Sequence, residues 1–531
     1  MTPSPAHVLR RAVVDSRHLG RPLAAASGCH PHHLLLASSP LSSSSSPLGG
    51  GAHQMNGPDL PSSRLKFDDH RAVFSHKTSW EILRGLLVLR IFGTDIVAGN
   101  ALKCFRLSHR LFGERILGWI LRPTIYAQFV AAGKKKSKTG DSANGSVLQQ
   151  VEAVAFPSLQ QGSEEAREGL EAAAGIVKDL GLRLMVAPTL EGDVGEGGRE
   201  ELYDRNLQEL LQLAEWAWNF GGGVDKRKPC LQVKATALLS ADVLKVLAKR
   251  FQESPELERI KLVEQVAQTA LNPSASVTAW RGIMGINKDT NDAIHKGARR
   301  LGVLGATAQE KGLTLLVDAE FSYVNEAVSL LALAAMSLFN KNQPLVCHTL
   351  QCYFKGTQMQ LEREIKMAEA LGICYGAKIV RGAYLEQERS LAPGKESQLT
   401  CETHEETGHN YKRVISHFME YAATKKPGKC LVLVATHNED GIRHAVDKLH
   451  SLKISPMDGR IVFAQIYGMA EQISMPLVRG GYVVYKSVPV GGLTQVLPYL
   501  ARRAAENRSV LLGARKEREL LQSELLWRLK G

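Results

Sequence analysis

Leu313-Thr314-Leu315-Leu316-Val317-Asp318-Ala319-Glu320 is a short apolar run that stops on acidic residues. At this length, with no Gly or Pro inside it, the run reads as a buried strand. Short apolar runs return seven more times, mostly ending in polar or Gly residues, at 182–188, 231–238, 345–351, 376–382, 431–436, 460–465 and 481–486. Amphipathic stretches with helical spacing lie between these runs, including 241–252 and 292–309 in the long gap after the second. Eight strands alternating with helices predict an α/β fold, its parallel sheet closed into a (βα)8 TIM-like barrel; an open doubly wound sheet is the alternative. No G-x-G-x-x-G opens a helix, so a Rossmann-type dinucleotide site is not supported.

Working outward, residues 181–531 hold the barrel, and 64–180 read as a helical N-terminal region broken by a charged Gly/Ser loop at 134–146. Residues 1–63 are different in kind. Arg10, Arg11, Arg17 and Arg21 stand among Ala, Ser and Leu, and a serine tract and three glycines follow. An Arg-rich, Ser-rich, acid-poor start predicts a mitochondrial transit peptide followed by a disordered linker, and so a location in the matrix or at the inner-membrane surface.

The net charge is +13. No helix-turn-helix, zinc-finger or RNP-like pattern accompanies it, so no nucleic-acid partner is expected. Peripheral contact with an acidic membrane surface is compatible with this charge and with an amphipathic C-terminal segment, 511–529, that carries Trp527, but an ordinary helix packed on the barrel is the favoured reading of that segment. The eight cysteines include no C-x-x-C pair. This favours a reducing compartment over a disulfide framework or zinc site. His30, His32 and His33 lie in the N-terminal tract, and no metal is expected.

In a barrel of this kind reactive groups come from the C-terminal ends of the strands, which makes the polar residues closing each run the candidates. Lys234 lies inside an apolar run, where a cation is costly unless paired; Asp318 is its expected partner. Gln351 closes the fourth run. Lys378 and Arg381, with the turn Gly382-Ala383-Tyr384, suit an anionic group, although a basic loop without a ligand has the same composition. Thr436-His437 closes the sixth run, and His437 suits either a base or a hydrogen-bonded strand end. Gln465 and Tyr467 are expected to line the seventh strand end. After the eighth, Tyr499, Arg502 and Arg503 fall at i, i+3 and i+4 on one helix face. Two planar guanidinium forks beside a phenol suit a small carboxylate.

Tyr499-x-x-Arg502-Arg503 followed by Glu506-Asn507, together with Val317-Asp318-Ala319-Glu320, Arg381-Gly382-Ala383-Tyr384 and Thr436-His437-Asn438, resembles the proline dehydrogenase family in the same order. The resemblance implies a distorted barrel that holds FAD non-covalently. By it, Asp318, Ala319, Gln351, Lys378, Arg381, Gly382, Ala383, Thr436, His437 and Gln465 contact or orient FAD. Lys234, Tyr384, Tyr499, Arg502 and Arg503 line the substrate pocket. Lys234, Asp318 and Lys378 carry the catalytic expectation. Bacterial members carry Arg at the position of Lys378, which keeps the charge and changes the fork.

The implied reaction is oxidation of a C–N bond in a five-membered imino acid, with electrons passed to a quinone. One position departs from the family pattern. Proline-oxidising members carry a second Tyr twelve residues before the first, and this chain has Ser487 there. That resembles the branch acting on trans-4-hydroxyproline, whose product is 3-hydroxy-1-pyrroline-5-carboxylate. A plain proline dehydrogenase and a catalytically silent barrel are the alternatives.

Overall fold

Eight parallel strands close in chain order: β1 Arg183–Pro188, β2 Cys230–Lys234, β3 Thr314–Asp318, β4 Val346–Gln351, β5 Tyr375–Val380, β6 Cys430–Ala435, β7 Ile461–Ile466 and β8 Val484–Val490. The computed structural model describes residues 65–92, 163–190, 200–222, 228–271, 282–391, 399–491 and 511–530. The tract 1–63, the loop 134–146, and Tyr499, Arg502 and Arg503 lie outside the described residues. The seam of the barrel joins β1 to β8, from Arg183 opposite Tyr485 to Pro188 opposite Val490.

The runs form strands because each is buried on both faces, as a parallel sheet under helices requires. Alternate residues divide between two cores. Met185, Cys230, Leu316, Cys347, Leu433, Val462 and Tyr485 fill the barrel interior. Leu184, Val186, Leu231, Leu315, Val346, Val432 and Phe463 face the surrounding helices.

Two strands depart from their predicted limits by more than two residues. β2 stops at Lys234, and Ala235–Ala237 turn into a 3-10 helix. β8 begins at Val484 and runs through Pro489 to Val490, past the expected end at 486, although Pro489 and Gly491 in the sequence suggest a turn there. Pro489 lacks a donor, which a strand tolerates near its end. Ser487 therefore stands inside a strand and not in a turn.

Helix starts follow local chemistry. The side chains of Ser240, Asn287, Thr403 and Asn438 each cap a helix by accepting from the backbone N–H three residues on. Among the described residues the gap between β2 and β3 holds three α-helices, Ala241–Glu253, Glu256–Leu271 and Lys288–Lys311. Ser322–Phe339 is long and apolar enough to cross a membrane by composition alone. It is buried here as a core helix against β3 and β4. The first and last described helices also meet. Val73, Phe74 and Ile82 pack on Leu520 and Leu521 of the Leu511–Leu529 helix, and His70 Nδ1 lies 2.8 Å from Glu524 Oε2.

On the outer side of β4 a charged group is buried outright. Glu364 receives hydrogen bonds from Ser329 Oγ at 2.7 Å and Tyr375 Oη at 2.8 Å, with His348 Nδ1 at 3.0 Å. Burial alone would raise its pKa. The imidazole and the two hydroxyls outweigh burial and draw it from 4.5 to about 2. A carboxylate depressed in the fold contributes stability above its unfolded value, and that stability is lost as pH falls from 4.5 towards 2. Glu364→Gln is therefore expected to cost about 3 kcal/mol at pH 7, at 1.36 kcal/mol per pKa unit. Urea unfolding should show the gap from wild type narrowing at pH 3. A pH-independent gap would contradict this account.

Candidate active site

The C-terminal ends of the strands surround a cavity of about 220 Å³. Along β2, β3 and β4 the inward positions change from apolar at depth to polar at the mouth: Cys230 gives way to Gln232 and Lys234, Leu316 to Asp318, and Cys347 to Thr349 and Gln351. The cavity brings together Lys234, Asp318, Ala319, Gln351, Lys378, Arg381, Gly382, Ala383, Tyr384, Thr436, His437, Gln465 and Ser487; of the site residues expected from the sequence that lie among the described residues, Tyr467 alone is left out.

At its floor the polar side chains form one network. Lys378 Nζ donates to Asp318 Oδ1 at 2.5 Å and to Gln232 Oε1 at 2.8 Å. Gln232 Nε2 donates to Ser487 Oγ at 2.8 Å, and Thr349 Oγ1 donates to Asp318 Oδ1 at 3.3 Å. Lys378 and Asp318 have side-chain exposures of 8% and 19%. An ion pair this buried needs its remaining donors and acceptors satisfied, and Gln232 and Thr349 do so.

The expected pairing of Lys234 with Asp318 needs correction. The two are neighbours in strand register, but Asp318 binds Lys378. Side chains that share a layer of a barrel come from alternate strands, so β3 meets β5 across the interior. Lys234 instead donates to Tyr384 Oη at 3.1 Å. It also lies within electrostatic reach of Glu320, whose buried carboxyl is pushed up by desolvation and pulled back by Lys234 and Thr236. Thr236 binds both Glu320 oxygens, through its N–H and its hydroxyl. Phe321 packs on Tyr384 with centroids 4.5 Å apart and fixes that ring at the mouth.

The other wall is tied equally closely. Gln351 Nε2 donates to Glu320 O at 2.8 Å, and its Oε1 accepts Ala383 N–H at 3.2 Å. Gly382 sits at φ +121°, and a Cβ there would lie 1.8 Å from the Tyr353 ring, so only glycine fits. Arg381 donates to His404 O at 2.7 Å, and burial lowers its pKa. His437 Nε2 accepts Ile466 N–H at 3.0 Å. A nitrogen that accepts leaves the ring proton on Nδ1, and Nε2 is unavailable as a base. Gln465 is held by Thr436 O at 3.4 Å and Ser474 Oγ at 2.9 Å.

Tyr467 does not join the residues lining the cavity. Its N–H donates to Ser487 O at 2.9 Å, and its ring lies near Glu471 and Glu81, where burial raises the phenol pKa. Conversely, sequence reading passed over Gln232 and Thr349. Each stands two residues before an expected site residue, Lys234 or Gln351, and so on the same strand face. That period was the available signal.

The family described as "Proline dehydrogenase" matches residues 177–515. Hydroxyproline dehydrogenase of Xenopus laevis is 33% identical over 471 residues, spanning 88% of this chain and 90% of that protein. The Homo sapiens protein of the same description is 34% identical over 472 residues, spanning 87% and 93%. Proline dehydrogenase 1, mitochondrial, of Homo sapiens is 29% identical, spanning 96% and 98%. Among solved structures, proline utilization A from Bdellovibrio bacteriovorus, inactivated by N-propargylglycine, superposes with a TM-score of 0.51 at 16% identity. That alignment spans 81% of this chain and 37% of the longer protein, and it bears on the fold alone.

Proposed function

From the premise that this chain belongs to the proline dehydrogenase family, we propose that it oxidises trans-4-hydroxy-L-proline to 3-hydroxy-1-pyrroline-5-carboxylate, using FAD and a quinone acceptor, in the mitochondrion. It is an oxidoreductase acting on the CH–NH group of an imino acid. The observation that carries the choice of substrate is Ser487. A small hydroxyl lines the cavity on β8, and a polar network stands behind it.

The donor set supports FAD. Two cations, Lys378 and Arg381, and two amides, Gln351 and Gln465, converge around one cavity with Thr436 and His437. That combination suits a ring edge rich in acceptor atoms and a phosphate chain. Asp318, Ala319, Gln351, Lys378, Arg381, Gly382, Ala383, Thr436, His437 and Gln465 would hold the group. When bound, FAD supplies a hydride acceptor for the ring carbon beside nitrogen.

The remaining roles belong to the chain itself. Arg502, Arg503 and Lys234 bind the substrate carboxylate, and Tyr499 and Tyr384 flank the ring. Holding the carboxylate at one end fixes which carbon faces the redox partner. Lys378, neutralised by Asp318, keeps a positive charge beside the cavity without a net charge in the barrel core. Peripheral membrane contact through basic surface and the C-terminal helix gives access to the quinone.

Turnover of the two imino acids tests the reading. The purified holoenzyme is expected to show the higher kcat/KM for trans-4-hydroxy-L-proline. Ser487→Tyr should move the ratio towards L-proline by about tenfold, because the ring fills the space of a C4 substituent and removes its polar partner. A wild type that prefers L-proline refutes the substrate assignment. An unaltered ratio in the variant removes Ser487 from the explanation.

A further inference from the structure

Gln232 meets two partners of opposite demand. Lys378 Nζ has only protons to give, so the amide atom 2.8 Å from it must be the carbonyl oxygen. The amide NH₂ is thereby turned to Ser487 Oγ, also at 2.8 Å, and donates to it. Chemistry fixes this orientation, since flipping the amide would set two donors against each other. Ser487 Oγ consequently spends a lone pair on Gln232, and its own proton remains to be donated. Among the described residues the Ser487 side chain makes no other hydrogen bond. Ser487 and Gln232 both line the cavity, and both are buried.

We propose that Gln232 is a positioning residue for substrate selection, passing the polarity of the Lys378–Asp318 pair to Ser487 and making that hydroxyl a donor to an acceptor oxygen on the imino acid ring. The inference rests on the reading of Ser487 as the residue facing the substrate C4 hydroxyl. It adds a cause for the discrimination. A serine alone is ambivalent, because it donates or accepts as its neighbours allow and lets water replace a missing partner. A serine with one lone pair engaged by Gln232 keeps its proton to give and has only one acceptor site left, so the balance shifts towards donation. Trans-4-hydroxy-L-proline accepts it, and L-proline leaves a buried donor without a partner. A site built on a specific hydrogen bond rejects the analogue that lacks it far better than an apolar site does. The source of the polarity lies across the barrel, in a cation from β5 that reaches β8 only through β2.

The test is the ratio of kcat/KM for trans-4-hydroxy-L-proline over L-proline. It is measured on FAD-loaded wild type, Gln232→Met, Gln232→Glu, Ser487→Ala and the double variant Gln232→Met with Ser487→Ala. Damage to the fold lowers both substrates together and leaves the ratio alone. Gln232→Met removes the donor to Ser487. Gln232→Glu keeps the shape but accepts from both neighbours, so the serine proton turns away from the cavity. Each is expected to lower the ratio by about fivefold, the effect of one neutral hydrogen bond. In the Ser487→Ala background, Gln232→Met should move it no further. A wild-type ratio in both Gln232 variants overturns the proposal, as does an undiminished effect of Gln232→Met when Ser487 is absent. Should Gln232→Met fail to fold, Gln232→Glu and Ser487→Ala still decide it. A wild type that prefers L-proline instead defeats the underlying substrate reading, whatever the Gln232 variants do.

Discussion

Lys378→Met is expected to lower kcat/KM by a factor of about 10³ and to weaken both the fold and FAD retention. The loss has two separable parts. Removing the ammonium leaves Asp318 in the barrel with no cation, and breaking one side of a buried pair costs about 3–5 kcal/mol. It also strips the donor from Gln232 Oε1, which lies 2.8 Å from Lys378 Nζ. A second substitution separates these effects. Lys378→Met combined with Asp318→Leu removes both charges and should recover most of the thermal stability while turnover stays lost. Retained activity in the double variant would show that the pair only fills the core.

The second large effect is expected at Arg502. Arg502→Met should raise KM for the imino acid about 30- to 700-fold, since a carboxylate in a water-poor site loses a charge-assisted partner worth roughly 2–4 kcal/mol. Flavin absorbance per chain should not change. A stable variant with an unaltered KM would return Arg502 to the surface. Arg502 lies outside the described residues, so this expectation stands on the sequence: Tyr499, Arg502 and Arg503 share one face at helical spacing.

The barrel was legible because its strands are short and apolar and alternate with amphipathic helices. The run closing on Asp318 has no helical alternative at that length, and seven like it leave little else to build. The residues at strand ends were legible for the same reason, and Lys378, Gln351 and His437 do meet in one cavity. Partnership was not legible. Asp318 stands beside Lys234 in register, yet its partner comes from β5. Linear spacing carries no trace of which layer a side chain joins once strands tilt around an axis. The limits of β8 were obscured by Pro489 and Gly491, which read locally as a turn and were overruled by pairing with β1. Gln232 was hidden by its type. An amide inside an apolar run resembles a tolerated exception until both its ends are seen to be occupied.

The seam between β1 and β8 sets a timetable. Thr189 and Val490, joined through the threonine N–H, stand 301 positions apart in the chain. At roughly 5–20 residues per second, a ribosome delivers the partner of β1 about 15–60 s after β1 itself. During that wait β1 presents a bare edge, the kind of surface that invites pairing with another chain. His70 waits longer still for Glu524, 454 residues on. Helices such as Lys288–Lys311 can form during synthesis, but the closed cylinder cannot. A nascent chain stalled before Val484 is therefore expected to need a holding chaperone, and release of the last strand, not of the first, is the event that ends the need.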